Sequence, residues 1–128
     1  MLPSLLIVDD FLKDPWAARR AALGLDYDPA RQHGNFPGRN SSAPLDTGAI
    51  DAAVSRVLGM RLGPAPGTQH GHCRLTPKGA KGKSGVHIDP AAYSGILYLS
   101  RPEDCAKADA GGTDFFRHRR TGLEAVPQ

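Results

Sequence analysis

His87 and Asp89 stand two residues apart in Val86-His87-Ile88-Asp89. In a β-strand, residues two apart point to the same face. An imidazole nitrogen and a carboxylate oxygen could therefore face one metal ion. With a second histidine they would form the two-His-one-carboxylate facial triad, which holds Fe(II) and leaves positions open for co-substrate and oxygen. Taken alone, the pair also reads as a surface histidine beside a turn-capping aspartate before Pro90. His70-Gly71-His72-Cys73 offers a second arrangement. His70 and His72 share a strand face, and with His87 and Asp89 they could make a cupin-like site. Such a site needs a carboxylate a few residues later, where this chain has Arg74, Leu75, Thr76, Pro77 and Lys78. A half-exposed strand with a stacking histidine is the other reading. His118 is the sole histidine after Asp89, and His33 falls in a turn.

The stretch Pro77-Lys-Gly-Ala-Lys-Gly-Lys-Ser84 comes near a phosphate-binding P-loop. That motif requires a glycine where Pro77 stands and a helix after it, whereas Gly85-Val86-His87 follows as an extended stretch. Sixteen basic residues against thirteen acidic ones give +3. Up to residue 64 there are seven of each; beyond it, nine basic and six acidic. Lys78, Lys81 and Lys83 make one basic cluster, and Arg117, Arg119 and Arg120 another. Such clusters suit an anion or nucleic-acid patch, or simply a solvated loop and strand end. No aromatic residue interleaves with the lysines, so nucleic acid is not an expected partner.

The elements that must position these groups are short. Length fits one domain, 1–128. Fifteen glycines and eleven prolines demand many turns rather than a helical bundle. Leu5 to Val8 reads as a strand. Asp14 can cap a helix begun by Pro15, running through Trp16, Ala18, Ala21 and Ala22 to Gly24. Residues 26 to 44 are turn-rich and read as a surface segment. A second helix begins near Asp46, with Ile50, Val54, Val57 and Leu58 on one stripe, and ends at Gly59 or Gly63. Gln69 to Leu75 reads as a strand, Thr76 to Gly85 as a loop, and Tyr93 to Ser100 as the clearest strand. After the polar connection Arg101 to Ala110, Thr113 to His118 is a further strand. Helices precede strands, which predicts an α+β class with a mainly antiparallel sheet. No apolar run approaches the roughly 18 residues of a membrane span, and the N-terminus lacks a basic signal-peptide region. Cys73 and Cys105 form no CxxC pair, so a reduced, cytoplasmic protein is expected.

In its ordered set of phrases the sequence resembles the 2-oxoglutarate/Fe(II)-dependent dioxygenase superfamily, in particular a bacterial, prolyl-hydroxylase-like branch. Three stretches carry the likeness. The first is Leu5 to Leu23 (LLIVDDFLKDPWAARRAAL) followed by Asn35-Phe36-Pro37-Gly38-Arg39. The second is His87-Ile88-Asp89 with the strand Gly95-Ile96-Leu97-Tyr98-Leu99. The third is Gly111-Gly112-Thr113-Asp114-Phe115-Phe116. The resemblance implies a double-stranded β-helix, or jelly roll, with N-terminal flanking helices. It implies Fe(II) and 2-oxoglutarate as cofactors, with His87 and Asp89 as iron ligands and Tyr98 lining the co-substrate pocket. The implied chemistry is oxidative decarboxylation of 2-oxoglutarate to succinate, coupled to hydroxylation of a small-molecule, amino-acid or protein substrate.

The chain departs from that pattern toward its end. The family places a distal histidine and, roughly ten residues on, an arginine or lysine whose charge meets the far carboxylate of 2-oxoglutarate. Thirty-nine residues follow Asp89, and Arg119 and Arg120 lie too close to His118 for that spacing. The expectation is therefore a partial jelly roll lacking its last strands, inactive alone and with strand edges exposed. A non-catalytic jelly-roll binding module and a cupin-like metalloprotein are the alternatives.

Overall fold

The computed structural model describes residues 4–31, 35–107 and 111–125. The chain divides into two compact units. Arg20–Ser84 is one, here the ribbon unit; Met1–Arg19 with Gly85–Gln128 is the other, the split unit.

Helix α1 spans Pro15–Leu23. Its start comes from capping: Asp14 Oδ1 accepts the Ala17 N–H at 2.9 Å, and Pro15 needs no partner in the first turn. At its other end the Gly24 N–H donates to Arg20 O, and the Tyr27 hydroxyl donates to Ala22 O at 2.8 Å. Helix α2 spans Gly48–Leu58. Asp46 Oδ1 accepts the Gly48 N–H at 2.9 Å, so the expected starting residue lies just outside the helix as its polar lead-in. Gly59 closes α2 in the left-handed region (φ 66°). The Gly59 and Met60 N–H groups return to Arg56 O and Ser55 O, a Schellman ending. Leu58 is buried and Ile50 and Val54 are half-buried, whereas Val57 is exposed, so the apolar stripe is narrower than its spacing implied.

Strands β1, Arg39–Pro44, and β2, His72–Leu75, form a two-stranded antiparallel ribbon. The register pairs Arg39 with Leu75, Asn40 with Arg74 and Pro44 with His72, with a bulge in between. Ser41 occupies the bulge and is buried. Its hydroxyl donates to Ala43 O at 2.7 Å and accepts the Cys73 N–H at 3.0 Å. A side chain thus serves a ladder position that the extra residues of β1 vacate. Gly38 precedes β1 at φ +88° and packs so closely that an added Cβ would stand 2.4 Å from Leu75 O. The order of elements is α1, β1, α2, β2, so helices and strands alternate rather than segregate.

Several expected elements differ. Residues 26 to 44 are not merely surface turns, since they contain β1; its polar sequence Arg-Asn-Ser-Ser-Ala-Pro carries no apolar alternation to signal it. Leu5 to Val8, Tyr93 to Ser100 and Thr113 to His118 enter no ladder. A strand is a paired state, and among the described residues these segments form no strand ladder. The α+β class and antiparallel pairing stand; the sheet among the described residues has two strands. No helix of the described residues is long and apolar enough to cross a membrane.

The split unit is tied by charge. Arg19 Nη2 reaches Asp104 Oδ2 at 2.9 Å while its Nη1 donates to Leu99 O at 2.7 Å. Arg101 grips the same carboxylate, Nη2 to Oδ1 at 2.8 Å, and its backbone N–H donates to Oδ2 at 2.8 Å. Those Arg101 hydrogen bonds, with a smaller contribution from the Arg19 charge, hold the Asp104 carboxyl well below the usual carboxylate range. Because the folded value is lowered, this contribution is present above about pH 4, the ordinary aspartate value, and is lost as pH falls toward the folded value.

Gly79, at φ +79° in open space, takes alanine at a cost of about 1–2 kcal/mol, whereas Gly38→Ala adds a clash and lowers the urea midpoint further; equal midpoints would contradict the close approach. A carbon-13 NMR titration should find the Asp104 carboxyl midpoint well below about 3.9. Arg101→Gln should raise it more than Arg19→Gln, and equal effects would contradict the order of causes.

Candidate functional site

His87 and Asp89 lie together in the split unit. Nε2 of His87 stands 3.3 Å from Asp89 Oδ1. The other ring nitrogen, Nδ1, lies 2.8 Å from Gly85 O. A carbonyl oxygen only accepts, so Nδ1 carries the hydrogen. In the neutral ring Nε2 then presents a lone pair to a carboxylate oxygen. Two lone pairs facing each other need a cation between them, a proton or a metal ion. Two ligand atoms, each about 2.1 Å from one ion, stand about 3.0 Å apart at a right angle and about 3.4 Å apart at a tetrahedral angle. The observed separation lies between these. Metal-binding histidines commonly donate their second N–H to a backbone carbonyl, which sets the ring, and His87 does this. Asp89 Oδ2 accepts the Ser94 hydroxyl, and Asp89 O accepts the Ala91 N–H at 2.9 Å. Side-chain exposures of 63% for His87 and 49% for Asp89 leave both atoms reachable from solvent.

Tyr98, the residue expected at a co-substrate pocket, hydrogen-bonds the Thr113 hydroxyl and is exposed. His118 closes a tight turn: its Nδ1 meets Thr121 Oγ1 at 2.7 Å, its N–H donates to Leu123 O, and Arg117 pairs with Glu124. Among the described residues no three histidine, cysteine, aspartate or glutamate side chains converge on one point. His33 lies outside the described residues.

The ribbon unit uses its histidines differently. His72 Nδ1 donates to Ser41 O at 2.7 Å, which satisfies the carbonyl of the bulge. His70 Nε2 lies 3.0 Å from each oxygen of Asp51, and the Thr47 hydroxyl donates to Asp51 Oδ2 at 3.1 Å. Here a single N–H on Nε2 satisfies the carboxylate, because among the described residues no other acceptor claims the hydrogen through Nδ1. The pair ties the approach to β2 onto the first turn of α2. An open groove of about 500 Å³ runs beside it, lined by Gly48, Asp51, Ser55, Met60 and Leu62 among others. Sequence reasoning missed Asp51 as the partner of His70. The two are 19 positions apart, and no local motif links a helix turn to a loop histidine.

Cys73 and Tyr27 form the remaining reactive pair. Burial first, then the neighbouring Cys73, pushes the Tyr27 phenol up to about 12. Burial pushes the Cys73 thiol up as well, against a lowering hydrogen bond from Tyr27. The thiolate is the reactive form, so this cysteine is shielded rather than activated. Cys73 and Cys105 are both free thiols.

The described residues thus define a small α+β protein with an antiparallel ribbon in one unit and a solvent-facing histidine–aspartate pair in the other. The chain belongs to a family of unknown function (DUF6445), whose model matches residues 3–128. No curated protein and no solved structure matches it.

Cys73 should alkylate more slowly with iodoacetamide at pH 8 in the folded chain than in urea, and Tyr27→Phe should alter that rate. The Tyr27 phenolate absorbance should emerge only near pH 12. Since the folded value is raised, the stability linked to Tyr27 is full below its unfolded value of about 10 and declines above it. Equal alkylation rates in both states would contradict the shielding.

Proposed function

We propose that the chain carries part of the metal site of an Fe(II)/2-oxoglutarate-dependent oxygenase of hydroxylase type, on a partial jelly roll. His87 and Asp89 are two of the protein ligands. The observation that carries the reading is the His87 ring, pinned through Nδ1 to Gly85 O while Nε2 faces Asp89 Oδ1. The ordered phrases around the pair support it, from Phe11-Leu12-Lys13-Asp14-Pro15 to Gly111-Gly112-Thr113-Asp114-Phe115-Phe116.

The fit to iron is partial. His87 and Asp89 would be two donors of the three-donor set, and the described residues supply no third that converges with them. No described arginine is assigned to the far carboxylate of 2-oxoglutarate. When bound, the iron would supply a place to activate molecular oxygen, the oxidant for hydroxylation, with 2-oxoglutarate giving up two electrons as it becomes succinate and carbon dioxide. The residues of this chain hold the ion's site from one side. His87 offers Nε2 in a fixed orientation, Asp89 offers one oxygen, and Ser94 steadies the other. Tyr98 and Thr113 would border the co-substrate. The substrate class is a small molecule or an amino-acid or protein side chain. The free thiols suit a reducing, cytoplasmic setting. A second reading, a jelly-roll module that binds without redox chemistry, rests on the two-donor count among the described residues. The cupin reading is weaker, because His70 is engaged by Asp51 and no carboxylate follows the His70–His72 pair, where Arg74 to Lys78 stand.

Calorimetric titration with Fe(II) under anaerobic conditions, and with Ni(II) as a redox-inert surrogate, tests this. One ion should bind, and His87→Ala or Asp89→Ala should each weaken binding at least tenfold, about 1.4 kcal/mol. His70→Ala should leave it unchanged. Retained affinity in both split-unit variants would remove the ligand assignment, and a large loss in His70→Ala as well would favour the cupin reading.

A further inference from the structure

The charge of the chain is partitioned between its units. The ribbon unit holds nine basic and four acidic residues, the split unit seven and nine. The modest whole-chain excess therefore hides a strongly basic unit. No aspartate or glutamate occurs between Asp51 and Asp89. Within that acid-free stretch, the lysine loop is anchored rather than loose. The Ser84 N–H donates to Asn35 O at 2.7 Å, and the Ala80 N–H closes a turn on Pro77 O at 3.0 Å. Gly82 lies so close to the backbone of Phe36 and Pro37 that an added Cβ would stand 2.6 Å away. The loop thus folds back on the segment leading into β1. On that segment the Arg74 guanidinium stacks over the Phe36 ring, 3.6 Å from its centroid, and Arg74 Nε donates to Asn40 Oδ1 at 3.0 Å. Lys78, Lys81 and Lys83 are exposed, and none makes an ion pair among the described residues. Three arginines of the split unit behave otherwise: Arg19, Arg101 and Arg117 each meet a carboxylate.

We infer that the lysine loop and Arg74 form a docking surface for the phosphate backbone of a nucleic acid. Three lysines within six residues, held on a fixed loop with no acidic residue nearby in sequence, match a partner whose anions succeed one another closely along a chain. Such contacts position a polymer without reading bases. The Phe36 ring carries Arg74 on one face, and no aromatic residue interleaves with the lysines, so the contact rests on phosphates rather than on base stacking. Binding is therefore independent of sequence and steeply dependent on salt, through counterion release. Gly82 is the structural requirement, because any side chain there would push the loop off Phe36–Pro37 and scatter the lysines.

Fluorescence anisotropy with a labelled mixed-sequence single strand of about 20 nucleotides tests this on the full chain between about 50 and 200 mM salt. Binding should weaken with salt at a log–log slope of about −2 to −3, for three or four neutralised phosphates. Replacing the three lysines (Lys78→Gln, Lys81→Gln, Lys83→Gln) should lower affinity at least tenfold and flatten the slope to about −1 or less. Circular dichroism should show that the variant stays folded. Gly82→Leu, which keeps every lysine, should weaken binding as well. No binding at low salt, or unchanged binding in the lysine variant, overturns the inference. Preferential binding of labelled polyglutamate overturns it in favour of an acidic polypeptide. Full competition by tripolyphosphate at matched phosphate concentration overturns it in favour of a small phosphate ligand.

Discussion

The hydroxyl of Ser41 stands inside the β1–β2 ladder, and the ribbon unit is arranged around it. β1 spends more residues than β2 between the paired ends of the ribbon, so one backbone N–H of β2 would face a gap. Ser41 Oγ fills it by accepting from Cys73, and the Ser41 carbonyl is met in turn by His72. A buried N–H left without an acceptor costs about 1–3 kcal/mol, which in so short a ribbon rivals what the ladder itself contributes. The bulge also sets the path of the chain beyond β1. It lets the Leu45 N–H reach Gly71 O at 3.0 Å, at a glycine whose φ of +75° and close contact with Leu45 O admit no side chain. His70 is then delivered to Asp51 on α2. One hydroxyl, one glycine and one histidine thus connect the ribbon to the second helix, where among the described residues only Ala22 and Leu58 are buried apolar side chains.

The split unit solves the same problem with charge. Asp104 gathers Arg19 from α1 and Arg101 from its own turn, and Arg19 extends to the Leu99 carbonyl. That carboxylate accepts more than one charge-assisted hydrogen bond, the kind that orders a loop most strongly. Apolar side chains in this unit remain in water: Phe115 is 68% exposed, Ile96 64% and Ile88 69%. Exposed apolar groups at this density commonly mark an interaction surface.

Legibility in the sequence tracked the range of each interaction. Both helices were readable because their signals are local: Asp14 with Pro15 at one start, Gly59 at one end. β2 was readable in its second half. β1 was not, because its stability comes from Ser41 and from Gly38 backing onto Leu75, neither of which leaves an apolar period. Tyr93 to Ser100 shows the converse. Its β-branched and aromatic residues are compatible with a strand, but composition states a capacity for pairing and says nothing of the partner. The His87–Asp89 juxtaposition was legible from spacing two apart, and it occurs here in a turn-rich segment rather than in a ladder. The Asp51–His70 pair was invisible, since its members are joined only by the path of the ribbon.

The described histidines show why residue type cannot assign a role. His72 and His87 each have Nδ1 on a backbone carbonyl, His118 has Nδ1 on the Thr121 hydroxyl, and His70 has Nε2 on a carboxylate. What separates His87 is the conjunction: a backbone carbonyl claims the hydrogen of one nitrogen while a carboxylate faces the other. His70 satisfies Asp51 with a single N–H and needs nothing more. His87 cannot satisfy Gly85 and Asp89 with a single N–H, so its neutral ring leaves a place for a cation. A metal hypothesis for this chain therefore rests on which ring nitrogen is already engaged, and the count of histidines adds little to it.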